Sequence, residues 1–223
     1  MHNTRTESAV TLLFAMAMVL AVAPAQAQQQ APPAMGFFVT SAGPGDGGNL
    51  GGLAGADGHC QMLAQAVGAG NRTWHAYLSQ TSAFGQTPET SVYAVNARDR
   101  IGSGPWFNAM GTLIAGSVAD LHGDDQRDRN NIRENTALTE KGEIVDGGHD
   151  MLTGSDSHGR SVIGRPDVTT CNNWTSNAAG NALVGHHNRQ GGANSSWNSS
   201  HMSNGCSQQN LTTTGGSGFF YCF

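Results

Sequence analysis

Residues 49–79 read NLGGLAGADGHCQMLAQAVGAGNRTWHAYLS. Leu53, Ala56, Cys60, Leu63, Ala64 and Val67 recur at steps of three and four, which is one apolar face of a helix. Asn49 is the expected N-cap and Gly68 the expected stop. Cys60 falls on the buried face. Trp74-His75-Ala76-Tyr77-Leu78 then alternates, the period of a strand. A cysteine-bearing helix therefore leads into an aromatic strand.

Upstream, Phe37-Phe38-Val39-Thr40 is a short β-type run closed by turn-forming residues 43–48. Downstream, Ala97–Ile101 reads as a helical turn, and Gly104-Pro105-Trp106-Phe107 as a turn with two aromatic anchors. Thr112–Val118 fits a strand or a helix. Asp120–Arg133 is highly polar and reads as a solvated loop. After Ile144 the strand candidates are short: Thr169–Trp174, Leu183–Val184 and Gly218–Phe223. No repeat of fixed period is present. One helix followed by many short strands predicts an α+β domain rather than a βαβ architecture. The four cysteines, Cys60, Cys171, Cys206 and Cys222, allow three pairings, and spacing alone does not choose among them.

Residues 1–27 read as an export signal. Arg5 supplies a weak positive charge, Ala9–Ala23 an apolar run too short to span a bilayer comfortably, and Ala25-Gln26-Ala27 a cleavage pattern. Residues 28–35 form a Gln/Pro/Ala linker, and residues 36–223 the expected domain. Export implies a secreted or periplasmic chain, in which paired cysteines persist. No later stretch is apolar enough to be transmembrane. Charged residues make up 12% of the chain, the net charge is −5 and Lys141 is the only lysine. That balance argues against nucleic-acid binding, which needs a basic face. The 31 glycines predict a turn-rich chain.

The segment from Cys60 to Ser79 resembles the opening of the endostatin domain of collagens. Gly154-Ser155-Asp156, Gly159-Arg160, Cys171-Asn172-Asn173-Trp174-Thr175, Cys206 and Phe220-Tyr221-Cys222 follow in similar order and spacing. Residues 49–57 are similar to exported bacterial proteins of the same C-type-lectin-like class. The resemblance covers roughly residues 36–223. It implies a C-type-lectin-like, endostatin-like fold with an N-terminal helix, short antiparallel strands and a long loop region. It also implies two nested disulfides, Cys60–Cys222 and Cys171–Cys206. Bridges closing loops of this size contribute on the order of 4 kcal/mol in a chain-entropy account. They would help offset the cost of ordering so much glycine.

Lectins that bind sugar through calcium use Trp-Asn-Asp before the third cysteine. Here Trp197-Asn198-Ser199 stands in that place, and a carboxylate is missing from what calcium requires. Residues 124–130 lack the glycine and flanking helices of an EF-hand. His149, Asp150, Asp156 and His158 cluster in a loop, and His186, His187 and His201 lie in the C-terminal third. Mixed His/Asp donors suit zinc; the plainer reading is a hydrogen-bonding or surface role for each. Endostatin's own zinc histidines lie near its N-terminus, and no histidine matches them here. Gly43-x-Gly45-x-x-Gly48 matches a dinucleotide fingerprint by letter, but no second parallel β-α unit follows. No Gly-x-Ser-x-Gly elbow is present. The sequence thus predicts a non-enzymatic exported module that binds a glycan or an envelope protein through its loops. Trp197, Asn198, His201, Asn172 and Asn173 are the candidate contacts. No cofactor is required, and calcium or zinc is the candidate ion. A metal-dependent hydrolase and a structural envelope protein are the alternatives.

Overall fold

The computed structural model describes residues 1–2, 33–124 and 127–223. The expected export signal lies outside the described residues except for Met1 and His2, and of the linker only residues 33–35 are described.

Helix α1 spans Gly52–Ala66 and buries Ala56, Cys60 and Ala64 at four-residue steps. It begins later than Asn49 because Gly51 is the N-cap, in a left-handed conformation with φ of 74°. Asn49 Oδ1 instead accepts from the Gly51 amide at 3.4 Å. Gly55 must be a glycine: a Cβ there would sit 2.1 Å from the Leu50 carbonyl oxygen. The helix stops at Gly68 as the sequence predicts. Gly68 has a φ of 78°, and the Ala69 amide turns back onto the Ala64 carbonyl at 2.8 Å.

The strands are short. β1 (Phe38–Val39) pairs antiparallel with β8 (Tyr221–Cys222), and β2 (Trp106–Phe107) pairs with β3 (Leu113–Ala115). β4 (Asp150–Leu152), β5 (Leu183–His186), β6 (His201–Met202) and β7 (Gly216–Phe219) form a sheet in the order β6-β5-β4-β7. The expectation of antiparallel strands holds except for β4–β7, which is parallel. The β7–β8 segment starts from α5 (Gln208–Thr213), not from a hairpin partner of β4. Thr112–Val118 proves to be both alternatives in turn, since β3 is followed by α2 (Val118–His122). The 120–133 segment is less solvated than expected. Leu121, His122, Asn130 and Ile132 are buried, and Arg189 reaches across to Asp128 at 3.1 Å.

The C-terminal strand has a partner on each edge. His75 and Phe223 exchange both backbone hydrogen bonds at 2.9 Å, and the Tyr77 amide donates to the Tyr221 carbonyl at 2.9 Å. The expected strand at 74–78 is thus real pairing, concentrated at residues 75–77. Because strand side chains alternate, this three-stranded layer sends its residues to opposite sides. Phe38, Trp74, Leu78, Phe220 and Cys222 enter one core with α1 and both disulfides. Phe37, Val39, Tyr77, Tyr221 and Phe223 enter a second, aromatic core with Trp106 and Trp197.

Two bridges form, Cys60–Cys222 and Cys171–Cys206, with Cα separations of 5.7 and 5.6 Å. The first bolts the buried face of α1 to β8. The second lies inside it in sequence, as the resemblance implied.

The predicted strand at Thr169–Trp174 is instead two helical turns, α3 (Pro166–Thr169) and α4 (Cys171–Trp174). α4 is left-handed. Its four residues have φ between 46° and 65°, a conformation costing roughly 1–2 kcal/mol for each non-glycine residue. The surroundings offset that cost. Cys171 is held by its bridge. Asn173 clamps the Thr81 backbone, accepting from its amide and donating to its carbonyl, both at 2.9 Å. Trp174 is fully buried and donates Nε1–H to the Ser79 carbonyl at 2.8 Å.

The outer bridge spans 162 residues and the inner one 35. Replacing Cys60 and Cys222 together by serine is expected to cost about 5 kcal/mol, and Cys171 with Cys206 about 4 kcal/mol. Urea unfolding should show both variants destabilised, with the outer pair worse. An unchanged midpoint for the outer pair would contradict this account.

Candidate metal centre

The site is built by strand register. In the antiparallel β4–β5 pair, Asp150 stands directly opposite His186. In β5–β6, His201 stands opposite Val184, two residues before His186 and so on the same face. His149 precedes β4. Its amide and that of Asp150 both donate to the Gly215 carbonyl, at 2.8 and 3.1 Å. The turn between α5 and β7 thereby grips the start of β4.

Three imidazoles converge on one carboxylate oxygen. Asp150 Oδ1 lies 3.3 Å from His149 Nε2, 3.2 Å from His186 Nε2 and 3.4 Å from His201 Nε2. One ligand atom each from His149, Asp150 and His186 falls within a 4.8 Å span. The Asp150 and His186 side chains are each 2% exposed, while His149 and His201 form a half-open rim. The His149 ring stacks on His186 with centroids 4.3 Å apart.

Hydrogen bonds fix which nitrogens carry protons. His201 Nδ1 donates to the Met202 carbonyl at 3.0 Å, so neutral His201 turns a bare Nε2 toward Asp150. The Ser200 hydroxyl donates to the Asn194 carbonyl, and therefore accepts from His186 Nδ1 at 3.3 Å. Burial, reinforced by His149 and His201, pushes the pKa of His186 down to about 4, so it is neutral near pH 7. His186 Nε2 lies 3.2 Å from a carboxylate oxygen of Asp150, and no hydrogen bond joins them. Both Asp150 oxygens and His186 Nε2 are buried without a hydrogen-bond partner. Burial also raises the Asp150 pKa, against the pull of His201 and His149.

Such acceptor-against-acceptor contacts are costly. Protonating the rim histidines leaves the His186–Asp150 contact unrelieved. A cation among His149, Asp150 and His186, whose donor atoms lie within 4.8 Å of one another, relieves it, with His201 beside them at the rim. Zinc ligands about 2.0–2.1 Å from the ion stand about 3.3–3.4 Å apart in a tetrahedron; the three distances to Asp150 Oδ1 match this, while His201 is not among the donors that lie mutually within 4.8 Å. The backbone leaves room: a Cβ on Gly215 would come 3.0 Å from His149 Nε2.

Of the metal candidates, His149 and Asp150 join this cluster, but Asp156 and His158 do not. Asp156 caps its own turn, accepting from the His158 and Arg160 amides at 2.9 and 2.8 Å. His158 lies 3.9 Å from Asp124, which pairs with Arg98. Of the contact candidates, only His201 reaches the cluster. Asn172 is exposed on α4 and donates to Thr175 Oγ1, while Asn173 holds Thr81. Trp197 and Asn198 are fully buried. Trp197 packs 4.8 Å from the Tyr77 ring. Asn198 Nδ2 donates to Tyr77 Oη at 2.9 Å, Tyr77 donates on to His122 Nε2 at 2.8 Å, and His122 Nδ1 donates to the Val118 carbonyl at 2.9 Å. His186 is the member of the cluster that sequence proximity does not single out. Its only signal is a histidine ending the apolar run from Leu183.

No protein-family model matches this chain, and no curated protein matches it either. The chemistry of the cluster carries the functional reading.

The buried chain predicts a pH dependence. Burial depresses the His122 pKa from 6.5 to about 4. Between those values the unfolded chain binds the extra proton, so His122 contributes full stability above pH 6.5 and loses it as pH falls toward 4. The slope is about 1.4 kcal/mol per pH unit. Urea unfolding at pH 7 and pH 5 should show wild type losing more stability than His122→Gln. Equal losses would contradict the assignment.

Proposed function

We propose that the chain is an exported, non-enzymatic binding module of C-type-lectin-like, endostatin-like fold, whose working site is a metal centre of His149, Asp150, His186 and His201. One observation carries the reading: three imidazole nitrogens converge on a single buried carboxylate oxygen, and the protein supplies no proton donor between that oxygen and His186. Three imidazoles and one carboxylate suit zinc or a similar borderline cation. Calcium, which takes six to eight oxygens, is poorly served. Four protein donors fill a tetrahedral ion and leave no position for substrate, as in structural rather than catalytic zinc sites.

The fold assignment is supported by the nested bridges, the paired chain ends and the long irregular segments. Export to the periplasm or beyond is supported by the two disulfides. No helix among the described residues is long and apolar enough to cross a membrane. A glycan or an envelope protein is the partner class, met at the exposed amides and hydroxyl of residues 190–195 beside the rim histidines.

A zinc hydrolase is the second reading. It is favoured by the compactness of the His149, Asp150 and His186 triplet, which holds an ion with a position open if His201 stands off.

Equilibrium dialysis of the mature chain should find one zinc per molecule and no calcium. Asp150→Asn and His186→Ala should each weaken zinc more than about 100-fold, since even outer-shell changes cost about 10–100-fold. Asn198→Ala should lower stability by about 1–3 kcal/mol and leave zinc affinity unchanged. His201→Ala separates the readings: strong loss of affinity fits the four-ligand centre, and retained zinc fits the open triplet. No uptake of zinc removes both.

A further inference from the structure

The segment 187–200 begins after one ligand, His186, and ends before another, His201. Its base is fixed by the protein alone. Arg189 donates Nε–H to the Ile132 carbonyl at 2.6 Å and reaches Asn130 and Asp128. Trp197 is packed in the aromatic core, and its carbonyl accepts from Tyr221 Oη at 2.7 Å. The tip at 190–195 is exposed.

That tip touches the metal centre from two sides. Gly191 lies against the His149 ring so closely that a Cβ would come 3.2 Å from Cε1. On the other side a hydrogen-bonded relay runs from His186 Nδ1 through Ser200 Oγ to the Asn194 carbonyl. Each contact is to a ring that the ion would orient. An outer partner of a ligating imidazole is held in place when the metal binds, and in turn holds the ring.

We infer that residues 190–195 form the outer lip of the metal centre, with their conformation set by ion occupancy through Gly191–His149 and Asn194–Ser200–His186. This rests on the metal reading above and adds regulation to it. Gln190 also donates to Glu134, and Asn194 to the Ser199 carbonyl, so the ion adds order to a tip that these bonds already hold in part. Metal and partner then bind with positive coupling, because the ion has already met part of the cost of ordering the tip.

Hydrogen exchange by mass spectrometry tests this on the full mature chain, with zinc as the probe and its uptake measured in parallel. Zinc is expected to slow exchange in peptides covering 188–196 by about tenfold, equivalent to about 1.4 kcal/mol of local stability. Peptides covering 74–79 should not change. Ser200→Ala, which removes a half-buried hydroxyl and no ligand, should weaken zinc by no more than about 10–100-fold and, once saturated with zinc, lose the slowing around Asn194. Uptake of zinc without slowing, or equal slowing in Ser200→Ala, would overturn the lip and leave the metal centre standing. No uptake by wild type would overturn the metal reading, and the lip with it.

Discussion

The pairing of the last strand on both its edges is the constraint on which the structure depends. Phe220, Tyr221, Cys222 and Phe223 are at most 1% exposed. Their backbone is held by β1 on one edge and by residues 75–77 on the other. Alternation along this layer feeds two cores at once, with Phe220 and Cys222 on one side and Tyr221 and Phe223 on the other. The Cys60–Cys222 bridge fastens α1 to the same strand. A chain with 31 glycines has a large ordering cost. Here part of that cost is offset by the last strand, whose residues enter both cores.

The same run of chain links the cores to the site. Just before β7, the Gly215 carbonyl holds the amides of His149 and Asp150. Two residues after β7, Tyr221 Oη holds the carbonyl of Trp197, within the segment that joins His186 to His201. Asp150 is therefore pinned at a depth where three imidazole nitrogens surround one of its carboxylate oxygens. Interiors place charges where partners exist. A carboxylate so placed, with both oxygens unpaired, is intelligible as half of a centre whose other half is an ion.

The legible parts of the sequence were those with local causes. The face carrying Ala56, Cys60 and Ala64 was read from periodicity, and the stop at Gly68 from its freedom to adopt positive φ. The helix starts later than the expected cap at Asn49 because Gly51 itself supplies the left-handed cap. α4 was read as a strand because Cys171-Asn172-Asn173-Trp174 contains no glycine to announce a left-handed turn. That turn is imposed by Thr81, Ser79 and the bridge, all distant in sequence. The site was half legible for the same reason. Sequence proximity grouped His149 and Asp150 with Asp156 and His158. Register grouped them with His186 and His201, and strands of two to four residues carry too little pattern to fix register. Trp197-Asn198 looks like part of a lectin tripeptide, whereas Asn198 starts the buried chain through Tyr77 to His122 and the Trp197 ring packs on Tyr77.

The most direct measurement is X-ray absorption at the zinc edge on the mature, zinc-loaded chain. The account requires a four-coordinate shell of nitrogen and oxygen at about 2.0–2.1 Å, with the multiple-scattering signature of three imidazoles that falls to two in His186→Ala. A six-coordinate oxygen shell, or imidazole scattering unaffected by His186→Ala, would contradict it.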